Sequence, residues 1–147
     1  MKTGLPKKQK GAAAIEFALV FVIFFAVFYG LISYSLPLLL MQSLNQAAAE
    51  AVRQAMAIDP VSAGSEYSQR LTDRAKDTVV AQLKWMPKSF QFSRNLVTAT
   101  YTGTTLTVII NYPSSQLYDV LPALVLPGVG TVPKLPPHLS ARSSLQF

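Results

Sequence analysis

Phe17 to Met41 is a run of 25 residues without one charged side chain. At about 1.5 Å of rise per residue, roughly 20 apolar residues cross a hydrocarbon core of about 30 Å, so the run is long enough to span a bilayer. A buried helix of a soluble domain would carry a polar stripe, whereas this stretch is apolar all round. Between Glu16 and Glu50 the only ionisable side chains are Tyr29 and Tyr34. Gly30 and Pro37 fall inside the run, and Pro37 is expected to kink the helix about one turn before its apolar part ends.

Charge placement gives the run a direction. The chain carries 13 Lys and Arg against 7 Asp and Glu, a formal net charge of +6. Lys2, Lys7, Lys8 and Lys10 lie in the first eleven residues with no acid among them, and the rest of the chain is nearly balanced. Nucleic-acid binding needs a basic face on the folded domain, and this distribution offers none. Lys7, Lys8 and Lys10 before the run, set against Glu50 and Arg53 after it, predict a cytoplasmic N-terminus. Everything beyond about residue 42 then lies outside. With no cysteine, a disulfide framework, Cys-ligated zinc and a thiol nucleophile are excluded.

Three fates of the segment can be separated. It is an intact signal anchor, or a secretory signal cut at Ala47-Ala48-Ala49, or a leader cut at the cytoplasmic face with the helix retained. The second fits poorly, because a signal core has about 7–15 apolar residues. The third rests on residue order: Lys7-Lys8-Gln9-Lys10-Gly11, then Ala12-Ala13-Ala14-Ile15-Glu16-Phe17, then the apolar run. This order resembles a type IV prepilin-like leader, which implies cleavage by a prepilin peptidase between Gly11 and Ala12. Gly11 and the small alanines permit close approach and local unwinding. Glu16, at the hydrocarbon edge, is favoured by the helix dipole. On a neighbouring subunit it can meet the new ammonium of Ala12, a pair that fixes axial register in a medium of low dielectric.

Two motifs narrow the resemblance. Lys10–Phe17 reads KGAAAIEF, and the far end of the helix reads Ala47-Ala48-Ala49-Glu50-Ala51-Val52-Arg53. Together they resemble the TadE-like pseudopilins of the tight-adherence (Tad/Flp) pilus systems over about residues 10–55. Many of those proteins carry an acidic residue and a Gly-Arg pair midway along the helix, where this chain has Ser33, Ser35 and Leu36. TadE and its sister subunit TadF therefore both stay open. The resemblance implies a minor pilin-like subunit of the bacterial inner (cytoplasmic) membrane, needed for pilus assembly rather than forming its bulk. Its implied partners are the prepilin peptidase, other pseudopilins, the major Flp pilin and the inner-membrane assembly platform. Glu16, with Phe17 beside it, is the implied register and assembly element.

Beyond the membrane, Leu44, Ala47, Ala48, Ala51, Val52, Ala55 and Met56 form one continuous apolar stripe. One helix is thus expected from about Ala12 to Ala57, spanning the membrane over 17–41 and ending at Asp59-Pro60. The remainder, 58–147, reads as a small α+β domain. Tyr67, Leu71, Ala75, Val79 and Leu83 mark a second helix at about 65–85, closed by Trp85-Met86-Pro87, with Trp85 expected to pack or to return to the membrane surface. Asp73 and Asp77 have a spacing that can bind a metal, but the interleaved Arg74 and Lys76 argue against it. A period of two then appears at Phe90 and Phe92, at Val97, Ala99 and Tyr101, and at Leu106, Val108, Ile110 and Tyr112. Gly103 marks a hairpin. A further strand is expected at Leu139–Leu145, giving an antiparallel sheet of three or four strands covered by the helices. Between strands, 113–137 holds six of the ten prolines, which forbids a long regular element. It reads as a loop over the sheet, or as an apolar surface for a partner subunit.

Chemistry is sparse. The sole histidine, His138, opens a strand, and no phosphate-binding glycine loop, nucleophile elbow or paired-acid cleft can be assembled. No metal, cofactor or enzymatic activity is expected. The reading is a processed pilin-like assembly protein with a basic leader at 1–11. Its rival is an uncleaved signal-anchored envelope protein whose outer domain binds a partner.

Overall fold

The computed structural model describes residues 7–146, with side chains from residue 11 onward. Its first element, α1 (Lys7–Ala55), runs through 49 residues, roughly 70 Å at an α-helical rise. It starts five residues before the expected Ala12, so Gly11 and Ala12 lie inside the helix. Pro37 also lies within it, tolerated although its ring removes one backbone donor. The helix closes where Ala57 and Ile58 donate their N–H groups to the Gln54 and Ala55 carbonyls at 3.2 and 3.1 Å. Met56, expected in the stripe, therefore falls past the last helical residue and is 47% exposed.

Asp59 restarts the chain rather than merely ending α1. Its Oδ1 accepts the Val61 N–H at 3.0 Å and caps α2 (Pro60–Ala63), with Pro60 at the first helical position. A 3-10 turn at Gly64–Glu66 leads into α3 (Tyr67–Gln82). Leu71, Ala75, Val79 and Leu83 of the expected ladder are buried. The opposite face is charged and exposed: Glu66 pairs with Arg70, while Asp73 and Asp77 both pair with Arg94, at 2.9 and 3.0 Å. The two aspartates are thus occupied by a guanidinium. Helix α3 ends three residues earlier than expected. Leu83 takes the last core position, and Trp85 lands on the outside, 57% exposed.

The main sheet contains β1 (Val97–Tyr101), β2 (Thr105–Pro113) and β5 (His138–Gln146), antiparallel with β2 in the centre. Its register joins the faces that alternation marks. Val97 lies opposite Ile110, Ala99 opposite Val108, and Tyr101 opposite Leu106. On the other side Ile110 faces Ala141 and Tyr112 faces Leu139. Gly103, at φ 85°, supplies the left-handed residue of the β1–β2 turn. The expected strand at Phe90 and Phe92 does not form. Two 3-10 turns, Lys88–Phe90 and Arg94–Leu96, flank a left-handed Gln91 at φ 51°, so the chain cannot hold a period of two. Phe90 still reaches the core, and its carbonyl accepts the buried Tyr112 hydroxyl at 2.8 Å.

The proline-rich segment is more ordered than a loop. It contains α4 (Ser114–Tyr118) and a two-stranded hairpin, β3 (Leu124–Leu126) with β4 (Gly130–Val132). Pro122, Pro127 and Pro133 all fall outside the paired residues, where a missing N–H costs nothing to the ladder. Ser114 and Tyr118 tie α4 to the returning chain: Ser114 donates its N–H to Pro137, and Tyr118 donates to the Pro133 carbonyl and accepts from Leu135 N–H. Leu117 is buried in the core.

One core joins all these pieces. Leu40, Leu44, Ala47, Ala48, Ala51, Val52 and Ala55 of α1 meet α3 and the inner face of the sheet. Alanine dominates this stripe, so neighbouring backbones can approach closely. Replacing fully buried Ala51 by leucine is expected to lower stability by about 1–3 kcal/mol through overpacking. Ala49→Leu, on the exposed side of the same turn, should stay within about 0.5 kcal/mol. Denaturant midpoints of the full chain in micelles check both. Burial, with Asp119 contributing, pushes the Tyr112 hydroxyl up to about 12 from an ordinary 10. The folded state thus holds this proton more tightly. Its contribution is complete below pH 10 and is lost as pH rises through about 12. Tyr112→Phe should fall less steeply over that window, and should also be less stable by about 1–3 kcal/mol because the Phe90 carbonyl loses its partner.

Candidate functional site

Among the described residues, α1 is the one helix long and apolar enough to cross a membrane. From Ile15 to Phe28 its large side chains are exposed on every side, with Phe17 at 70%. A surface of this kind on a protein in water would be an aggregation site, since contiguous exposed apolar patches rarely exceed a few hundred Å². The helix is therefore compatible with a single-pass membrane anchor. Within it, Phe17, Phe21, Phe25 and Tyr29 stack at four-residue intervals, with ring centroids 6.1–6.3 Å apart. Phe24 and Phe28 form a second pair at 5.9 Å. Side chains four apart lie one above another on a helix, so an aromatic ridge follows directly from the spacing. Composition and length alone do not reveal it.

The residues at the base of the rod are open. Gly11 has no atom within 4 Å of the place a Cβ would take. Ala12, Glu16 and Phe17 are exposed, so the Glu16 carboxylate and the first rung of the ridge are both free to meet another molecule. Cutting at Gly11 requires local unwinding, because the helix is continuous across that bond. The side chains of Lys7, Lys8 and Lys10, to which the sequence assigns the topogenic role, lie outside the described residues.

At its other end the rod becomes a wall of the outer domain. Packing against α1 begins at Tyr29 and Gly30 and continues through buried Ser33, Pro37, Leu40 and Leu44. Tyr29 donates its hydroxyl to the Pro122 carbonyl at 2.5 Å, and the Lys134 N–H donates to the Tyr34 hydroxyl at 2.9 Å. The proline-rich segment is thus clamped to the helix by two tyrosines. Sequence reading noted both tyrosines without finding this role, for which the contact across about 100 residues leaves no local signal.

Farther along, Glu50 explains the Glu-x-x-Arg pattern. Gln54 Nε2 donates to its carboxylate at 2.7 Å and Arg53 pairs with it at 2.6 Å. The hydrogen bond from Gln54, reinforced by Arg53, outweighs partial desolvation and holds the carboxyl below its usual range. Gln54 Oε1 in turn lies 3.3 Å from Thr78 Oγ1 of α3, whose single hydroxyl proton it shares with the Arg74 carbonyl at 2.9 Å. The motif therefore sits at the junction of α1 and α3 and orients a polar link between them. His138 is exposed at the start of β5. A surface groove lined by Val80, Leu83, Lys84, Met86, Lys88 and Phe92 contains no acid–base pair.

No curated protein and no protein of solved structure matches the chain. A family model described as TadE-like protein matches residues 11–53, under a third of the chain. The matched segment opens at Gly11, contains Glu16 and the aromatic ridge, and ends at Arg53. Over this rod the chain is similar to TadE-like proteins, which supports a protein associated with the Tad pilus.

Proposed function

We propose that this chain is a minor pilin-like subunit needed for assembly of a Tad/Flp pilus, and that it acts mechanically rather than as an enzyme. The observation that carries this reading is the coincidence of the family match, which begins at Gly11, with a rod whose Glu16 and Phe17 stand exposed. A prepilin peptidase cuts between Gly11 and Ala12 at the cytoplasmic face. The new Ala12 ammonium and Glu16 of an adjacent subunit then set the axial register. The apolar rod leaves the lipid of the inner membrane and packs among helices of other pseudopilins and the major pilin, on the inner-membrane assembly platform.

The physical balance is favourable because lipid tails and apolar side chains are similar solvents for the rod, so tight helix packing decides the exchange. The aromatic ridge offers ridges for that packing, and the charged pair stays satisfied once lipid is gone. In the rival reading Gly11 is a linker, the helix stays in the bilayer as an uncleaved tether, and the outer domain alone meets a partner.

Intact mass of the protein from its native membrane separates the two. A mature chain beginning at Ala12 is expected, while native material retaining Met1 would favour the tether. Gly11→Phe should block the cut and leave the fold of the outer domain unchanged. Glu16→Gln should be cut normally yet sharply reduce surface pili counted by electron microscopy. Normal piliation by that variant would remove the register role.

A further inference from the structure

Val120 to Pro133 is an uncharged and almost wholly apolar stretch, with Thr131 its only polar side chain. It carries the β3–β4 hairpin, on which Val125 is 75% exposed, Val129 73% and Leu124 37%. Such exposure is unusual for a segment that the fold holds in place at both ends. The anchoring points fix its level along the helix. Pro122 is bonded to Tyr29 and Lys134 to Tyr34.

Those levels can be compared with a bilayer. Counted from Glu16 at one hydrocarbon edge, Tyr29 lies about 20 Å along α1 and Tyr34 about 27 Å. A hydrocarbon core of about 30 Å then ends near Leu36. The helix surface agrees, because Leu31, Leu38 and Leu39 remain well exposed beside the clamped segment. The roots of the hairpin therefore sit within the far leaflet, not above it. Lys134, exposed and next to the upper clamp, is the first charge after the apolar stretch and stands at headgroup level, where a lysine stem lies along apolar surface with its ammonium in water. Tyr34, close to that boundary, occupies the zone in which aromatic side chains with polar tips gather.

We propose that the β3–β4 hairpin is a second membrane contact, with the side chains of Leu124, Val125 and Val129 dipping among the acyl chains of the leaflet farther from Glu16 while the unpaired backbone edges of the hairpin stay at headgroup level. The occupant of this apolar surface is phospholipid, continuous with the lipid around α1. This inference rests on α1 spanning the bilayer, and it gives the outer domain a fixed depth and tilt while the subunit waits in the membrane.

The natural absence of cysteine makes the test direct. Single variants Val125→Cys, Val129→Cys, Leu31→Cys, Val22→Cys and Gln69→Cys of the full chain would carry a bimane label in phosphatidylethanolamine–phosphatidylglycerol vesicles. Quenching is read with brominated acyl chains and with aqueous iodide. Labels at positions 125 and 129 should be quenched by brominated lipid to the extent seen at 31, and several-fold more than at 69. If position 22 is quenched by lipid but 125 and 129 only by iodide, the hairpin is in water and the proposal fails while the spanning helix stands. Shielding of 125 and 129 from both quenchers would assign the surface to protein and overturn it equally. Absence of lipid quenching at position 22 would remove the spanning helix and the proposal with it.

Discussion

A single helix has to satisfy two solvents, and the rest of the molecule is arranged around that demand. Below Tyr29, α1 presents large apolar side chains in every direction. Above it the same helix narrows to a stripe of Leu and Ala that is buried in the outer domain. The change needs no break in the helix: Pro37 removes one backbone donor, and the remaining carbonyls and N–H groups are satisfied within the helix, as a bilayer requires. The antiparallel sheet has one apolar face that needs a cover, and α1 packs on it together with α3. The upper half of α1 supplies the missing layer, so the anchor and the domain share one core.

That sharing has a mechanical consequence. Force or displacement applied to the rod passes into the sheet through packed side chains instead of through a flexible linker. Three polar contacts reinforce the junction along its length: the two tyrosine clamps on the proline-rich segment and the Glu50–Gln54–Thr78 link to α3. In the proposed assembly role, such a rigid coupling would keep the outer domain in a defined orientation to the exposed Glu16 and Phe17. The small residues of the stripe are suited to the task, because they allow close contact without long side chains that rearrange.

Much of this was legible in the residue pattern, for reasons that can be named. The apolar run, the Ala stripe and the ladder of α3 each repeat a helical period over many turns, and β2 alternates over seven residues from Leu106 to Tyr112. Long repeats average out local exceptions. The failures are short signals. Phe90 and Phe92 offered two points of an alternation, and the left-handed Gln91 between them bends the chain instead. Met56 stands beyond the actual end of its helix, so the periodicity that placed it inside no longer applied, and Trp85, expected to pack from its size and apolar body alone, lies past the last core position of α3. The hairpin at 124–132 was hidden by proline density, yet proline limits the length of a strand and not its existence. At the candidate site, Gly11, Glu16 and Glu50 could be picked out from local order. The clamps by Tyr29 and Tyr34 could not, because they depend on how the chain returns from β2 to β5.

The shared core is the claim on which the rest depends, and native-state hydrogen exchange of the full chain in lipid tests it most directly. Amides of Leu44–Ala55 in α1 and those of central strand β2 should open together, with the same free energy and the same dependence on denaturant. Exchange from β2 at an energy well below that of the upper half of α1 would show the domain to be a separate body on a tether, and would contradict the account.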